Sequence, residues 1–171
     1  PELDIEVQAL ASGQMNLGNF LSNDSRISLP PDTYSFDISI NDMNYEFQFM
    51  IRDGETNRNI QDRLGRLINN SHIGLRAEII DGEEGTSSLR IESEATGLRP
   101  GRDKLFSISD ENTSKSSGMV SYLGLDYVSR NASNAVFTIN GEAREAYSNK
   151  FTLDKSYEIQ LQGVSPEENG V

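Results

Sequence analysis

Cysteine and tryptophan are absent from the 171-residue chain, and histidine occurs once, at His72. The first absence removes disulfides, thiolate metal sites and thiol nucleophiles together. A lone His72 in a polar turn cannot assemble a His-based metal site, and no serine nucleophile elbow or His-Asp spacing accompanies it. It reads as a surface or capping residue. Long apolar runs are also missing: no stretch approaches the roughly 18 apolar residues a membrane span needs, and the N-terminus lacks the basic-then-apolar layout of a cleaved signal. Positive charge is scarce, with 15 Lys and Arg against 27 Asp and Glu and a net charge of −12. Such a surface repels phosphate backbones and anionic lipids, so neither nucleic acid nor membrane is an expected partner. A Gly-rich phosphate loop with its Lys is lacking, and no cofactor is expected. Opening at Pro1 on a strand-like pattern, the chain reads as an excised or processed segment.

What the sequence does contain is alternation. Hydrophobic residues make up only 35% and mean hydropathy is −0.54, yet their regular spacing argues for a fold rather than disorder. Leu3, Ile5 and Val7 alternate with Asp4, Glu6 and Gln8, as in a half-buried strand. The Gly-, Asn- and Ser-rich stretch that follows, with Met15, Leu17, Phe20 and Leu21 in no clear period, reads as a long connection holding a short edge strand. Tyr34, Phe36, Ile38 and Ile40, then Tyr45, Phe47, Phe49 and Ile51 across "NDMN", predict an aromatic-rich hairpin.

Period changes next. Ile60, Leu64, Leu67 and Ile68 form one helical stripe, Thr56 stands where an N-cap hydroxyl belongs, and "NNSH" supplies the stop. Gly65 costs that helix about 1 kcal/mol relative to Ala, so the helix either passes close to a sheet or depends on packing. Residues 74–97 predict a second hairpin, with Leu75, Ala77, Ile79, Leu89 and Ile91 inward and the acidic "DGEEG" as its turn. Further strands follow at "KLFSISD", "AVFTING", "KFTL" and "SYEIQLQG". "SGMVSYLGLD" suits one or two helical turns, while "VSRNASN" reads as a boundary and "SPEENGV" as a polar linker. The total is eight or nine strands and one helix. The expected class is α+β, mainly β, with antiparallel sheets and one amphipathic helix packed on a face. Three segments are expected: residues 1–32, a strand and connection packing with the C-terminal part; residues 33–128, an α+β domain; and residues 129–171, a smaller β domain.

Reactive constellations are thin. Asp81, Glu83, Glu84, Asp110 and Glu111 are candidates for paired-carboxylate chemistry, but all fall in turns, where solvated charge is the ordinary state. "DGEEG" and "DENTS" cluster oxygens without the spacing that wraps calcium in one loop, so no metal site is expected. Sequons at Asn23, Asn112 and Asn131 carry meaning only in a glycosylating host. No catalytic or cofactor-binding residue is nominated, and the chain does not read as an enzyme.

The order of elements resembles that of the flagellar filament cap protein family, FliD or hook-associated protein 2. "TYSFDISIND", its partner strand, Thr56 and a helix ending "LINN", then "GLRAEIID", "SSLRIESEATG", "SYLGLD", "AVFTING", "SNKFTL" and "YEIQLQG" follow one another as in that family. Residues 56–97 are similar to the flagellin hook IN motif, with Ile68-Asn69 closing the helix and Ser93 and Gly97 at the far end. The motif also occurs in flagellins and other hook-associated proteins. The long heptad-bearing terminal helices of the family are absent from this sequence. The resemblance implies the outward head region of a longer, extracellular structural protein of the bacterial flagellum. Such a protein is exported without a cleaved signal, oligomerises and promotes flagellin assembly at the tip. Expected partners are flagellin and further copies, through the coiled-coil-forming parent, with adhesion to host glycans or mucus as a family association. Contact candidates are Met15, Leu17, Phe20, Leu21, Met43 and Met50. The bland alternative for them is satellite core beneath a long loop. A different class of function, a carbohydrate-binding or adhesive module of another secreted or surface protein, would use Tyr122, Tyr127 and Tyr147 as stacking platforms.

Overall fold

The computed structural model describes residues 2–111, 117–153 and 157–166. The Asn112 sequon, most of "DENTS" and the end of "SPEENGV" lie outside them. Thirteen strands and two helices are described, in the order β1 (Ile5–Ala9), β2 (Met15–Leu17), β3 (Leu21–Ser22), β4 (Asp32–Ile40), β5 (Met43–Ile51), α1 (Asn57–Ser71), β6 (Leu75–Asp81), β7 (Thr86–Ser93), β8 (Phe106–Asp110), α2 (Met119–Leu123), β9 (Val128–Arg130), β10 (Ala135–Ile139), β11 (Glu142–Ala146), β12 (Lys150–Leu153) and β13 (Tyr157–Gln160). Every strand pairing is antiparallel, and the class is mainly β within α+β.

Four sheets enclose two cores. One sheet runs β5-β4-β8; a second sets β6 on one side of β7 and β2 and β3 on the other, with β9 outside β2. Between them lies the larger core, in which Phe36, Ile38, Ile60, Leu64, Ile68 and Ile91 are fully buried. The other two sheets, β1-β10-β11 and β12-β13, enclose a smaller core of Val7, Ala11, Ala135, Phe137, Ile139 and Leu161. Phe137 and Phe151 stack there at 5.0 Å between ring centroids. Segment 1–32 is therefore divided: β1 joins the smaller core by pairing with β10, while β2 and β3 belong to the sheet of β7.

The β4–β5 hairpin closes on Asn41 and Asp42, both left-handed with φ of 54° and 60°, as a two-residue type I′ turn requires. Phe36 and Phe47 face each other across it and stack at 5.2 Å. Helix α1 starts on a reciprocal cap in which the Thr56 hydroxyl accepts from Asn59 N–H and the Asn59 side-chain Oδ1 accepts from Thr56 N–H, both at 3.2 Å. It ends at His72, held left-handed at φ 52°. Ile60, Leu64 and Ile68 of the expected stripe are buried, while Leu67 packs only partly against the core. Asn69 does more than stop the helix. Its side-chain amide donates to Ala77 O at 3.0 Å and accepts from Ala77 N–H at 2.7 Å, pairing with the outer strand β6 as a neighbouring strand would.

Two expectations require correction, and one strand, β11, was not expected. The first connection holds two short strands where one was expected: β3 is an edge strand, pairing only with β7, but β2 lies between β7 and β9. Its period was hidden because polar Gln14 and Asn16 point inward, 1% and 2% exposed, while Met15 and Leu17 are only half-buried. Their amides are satisfied: Gln14 Nε2 donates to Asn16 Oδ1 and Phe106 O, Gln14 Oε1 accepts from Leu105 N–H, and Asn16 Nδ2 donates to Leu125 O, at 2.8–2.9 Å. The "VSRNASN" boundary holds β9, which owes its form to backbone pairing with β2. "EAREA", with helix-favouring composition, forms β11 because the left-handed Asn140-Gly141 pair turns the chain back along β10.

Gly65 sits over β6 and β7, where an added Cβ would meet Leu89 Cδ1 at 3.4 Å and Ala77 Cβ at 3.9 Å, ordinary contact distances. Gly65→Ala is therefore expected to stabilise the protein by about 1 kcal/mol, through helix propensity. Leu64→Ala, one residue away and fully buried, should cost about 2–5 kcal/mol. Urea-unfolding midpoints of the two variants moving in the same direction would contradict this packing.

Candidate functional site

Two of the candidate carboxylates, Asp110 and Asp81, are used structurally. Asp110, at the end of β8, accepts from Val120 N–H at 2.8 Å and Ser121 N–H at 2.9 Å, which satisfies the first turn of α2. Gly118 permits this approach, since a Cβ there would lie 2.1 Å from the Asp110 carboxylate. Asp81 pairs with Arg58 at 2.9 Å. Glu83 and Glu84 form the exposed tip of the β6–β7 turn, Glu84 with φ 55°. His72 is the exposed end of α1. Of these groups, none is brought into a shared cleft with another.

One carboxylate group was not legible in the sequence. Asp37 and Glu46 are directly opposite on β4 and β5, and Glu111 follows β8 alongside, so that carboxylate oxygens of all three lie within 4.8 Å of one another. Oxygen donors at such spacing can bridge a hard divalent cation. Without a cation the arrangement is repulsive: partial burial, then a hydrogen bond and like charge from Glu46 and Asp37, raise the Glu111 pKa above its ordinary value. Glu55 goes the other way. Burial pushes its pKa up, but a two-pronged bond from Arg63 at 2.8 and 3.0 Å and one from Arg52 N–H at 2.7 Å outweigh it and lower the value. The Arg63 guanidinium also lies 4.4 Å over the Phe49 ring and donates to Met50 O, fastening the start of α1 to β5.

The six contact candidates are spread over several surfaces. Met15 and Leu17 lie on the outer face of their sheet opposite Glu92 and Arg90, beside the ion pairs Arg90–Glu78 at 2.6 Å and Arg130–Glu92 at 2.7 Å. Phe20, 46% exposed, covers the Gly82 end of the acidic turn, and Leu21 packs partly against the larger core. Met43 and Met50, 55% and 54% exposed, do not form one patch. Met43 pairs with Ile40 and shares its face; Met50 pairs with Thr33 on the opposite face, roughly 23 Å further along the strand. Of the tyrosines, Tyr122 donates to Asn57 Oδ1 at 2.7 Å and packs against the core, Tyr147 has the Arg99 guanidinium 4.5 Å above its ring, and Tyr127 is 63% exposed.

What the geometry defines is a two-core, mainly β module with a helix-backed hairpin, in which Asp110 caps a helix and Asp81 and Glu55 form ion pairs. This fold is that of the D2-D3 domains of the flagellar cap protein FliD. The chain is similar to the D1-D2-D3 domains of FliD from Escherichia coli, at 24% identity and a TM-score of 0.63, over 95% of this chain and 48% of that one. It thus spans about half the length of that D1-D2-D3 chain. It is also similar to the D2-D3 domains from Serratia marcescens at 19% identity, TM-score 0.69, over 97% and 88% of the two chains. FliD from Pseudomonas aeruginosa PAO1 matches at 17% identity, TM-score 0.62, over 95% and 74%. No protein-family model matches the sequence, and no curated protein matches it either.

A raised carboxyl value sets the sign of a pH effect. Below the ordinary glutamate range Glu111 is protonated folded or unfolded and costs nothing. As pH rises from that range through the raised value, the unfolded chain releases the proton first and the fold loses stability. Glu111→Gln should therefore raise the urea midpoint at neutral pH, with the gain shrinking on acidification towards the ordinary glutamate range. A gain independent of pH would show that the three carboxylates do not interact.

Proposed function

We propose that this chain is the outward head region of a bacterial flagellar filament cap. In this reading it is an extracellular structural part of a longer protein that promotes flagellin assembly at the filament tip. The observation that carries the proposal is the extent of the likeness: the match to FliD D2-D3 takes in 97% of the chain, both cores included, rather than one common hairpin. The order of Thr56, Ile68-Asn69, Ser93 and Gly97 supports it independently, and Asn69 has a physical task in that order, since it holds α1 against the edge of β6. The partners are flagellin and further copies of the full-length parent. The protein is not an enzyme, which accords with Asp110 and Asp81 serving as a helix cap and an ion-pair partner. Phe20, Met43 and Met50 supply the most exposed apolar contacts among the candidates.

Deleting the parent gene in its own bacterium is expected to leave cells shedding unpolymerised flagellin, with filaments restored by the full-length gene. Antibodies against this chain should label filament tips. Normal filaments in the deletion strain, or label confined to another structure, would overturn the proposal. Tyr127 gives the adhesive alternative its one favourable observation, a ring 63% exposed. That alternative requires glycan-array binding by this chain that is abolished by Tyr127→Ala.

A further inference from the structure

Among the described residues the chain passes between the two cores only twice, at residues 10–14 and 131–134. The crossings lie side by side, joined by Ser12 N–H to Ser133 O at 2.9 Å, Ser133 N–H to Ser12 O at 3.1 Å, and a contact between their hydroxyls at 2.7 Å. Two segments joined at one bridge, with Ser12, Gly13, Asn131, Ser133 and Asn134 among their nine residues, form a narrow ribbon. Such a ribbon bends easily, because few contacts resist a change of backbone angle.

A third connection spans the same gap without being part of the chain's path. After β7, residues 93–99 leave the larger core and lie across both crossings and onto the smaller module. Ser93 Oγ accepts from Gln14 N–H at 2.9 Å and Gly97 N–H donates to Ser12 O at 3.1 Å, which fixes the first crossing. Leu98 N–H donates to Asn134 Oδ1 at 2.7 Å, which fixes the second. Beyond them, the Thr96 hydroxyl donates to Tyr147 O at 2.6 Å, and the Arg99 guanidinium lies 4.5 Å from the Tyr147 ring centroid. Tyr147 directly follows β11 of the smaller module.

Gly97 is the residue that lets the two surfaces touch. Its φ is +80°, and a Cβ there would lie 2.5 Å from Tyr147 O, 2.7 Å from Tyr147 Cα and 2.8 Å from Asn134 Oδ1. Two of these are backbone atoms, which cannot swing aside as a side-chain end can. Gly13 repeats the pattern on the first crossing, where a Cβ would meet Ser93 O and Ser93 Oγ at 2.8 Å. Glycine thus removes the side-chain layer that would otherwise separate the modules, and main chain packs on main chain.

We propose that residues 93–99 are a latch that fixes the orientation of one core relative to the other. With the latch seated, the two modules move as one body. With it displaced, they remain folded but become hinged pieces joined by the Ser12–Ser133 ribbon. The inference rests on local geometry and stands whether or not the chain belongs to a filament cap.

The lack of cysteine makes the test clean, because two introduced cysteines are the only labelling sites. Spin labels would be placed at Asp53, exposed in the loop after β5, and Glu145, exposed on β11. Their distance distribution would be read by pulsed dipolar electron resonance. The parent sequence should give one narrow distribution, and Gly97→Val should broaden it by about two-fold or more with the circular dichroism of both variants alike. Should Gly97→Val fail to fold, the double variant Thr96→Ala/Arg99→Ala removes the hydroxyl bond and the guanidinium contact without a backbone clash, and should broaden the distribution in the same sense. An unchanged distribution in a folded variant, or an already broad one in the parent sequence, overturns the proposal. So does unfolding of the double variant, since it would make residues 93–99 part of what holds the cores together rather than a latch between them.

Discussion

The register of residues 12–17 is the constraint on which the rest of the molecule depends. Gln14 and Asn16 face inward, and their amides satisfy backbone groups at the entry to β8, through Leu105 and Phe106, and of the loop after α2, through Leu125. A one-residue slip would expose these amides, carry Met15 and Leu17 into their place, and leave buried N–H and C=O groups without partners. Each unsatisfied group costs about 1–3 kcal/mol, so the register is held by several such penalties at once. With β2 fixed, Ser12 and Gly13 are fixed as well. The first crossing then meets the second at Ser133, and residues 93–99 find their seat.

Around this strut the larger core follows from simple rules. Alternating aromatic and branched residues on β4 and β5 and the Ile60, Leu64, Ile68 stripe of α1 leave water together, and burial of each such side chain contributes about 1.5–3 kcal/mol before entropy is counted. The polar contacts serve placement more than strength. Asn69 aligns α1 with β6, Asp110 orients α2, and Arg63 joins Glu55, Phe49 and Met50 at the start of α1. Exposed ion pairs on the outer sheet face, such as Arg90–Glu78 and Arg130–Glu92, add only about 0–1 kcal/mol each.

The pattern of residues by itself determined the hairpins at residues 33–51 and 74–97, the helix with its Thr56 cap and the mainly β class. In those segments side-chain period, turn chemistry and burial agree. Tertiary structure alone decided the rest, wherever backbone pairing or a buried amide overrode local preference. Strand β11 is made from helix-favouring Glu, Ala and Arg by the turn at Asn140-Gly141. β9 is three residues long, too short for a period to show. β2 reverses the usual polarity, and no sequence pattern states that Gln14 will find Phe106, 92 residues away. The meeting of Asp37, Glu46 and Glu111 and the contact of Gly97 with Tyr147 were equally hidden. Local energies are written residue by residue along the chain, whereas contacts between distant segments depend on how the sheets close around their cores.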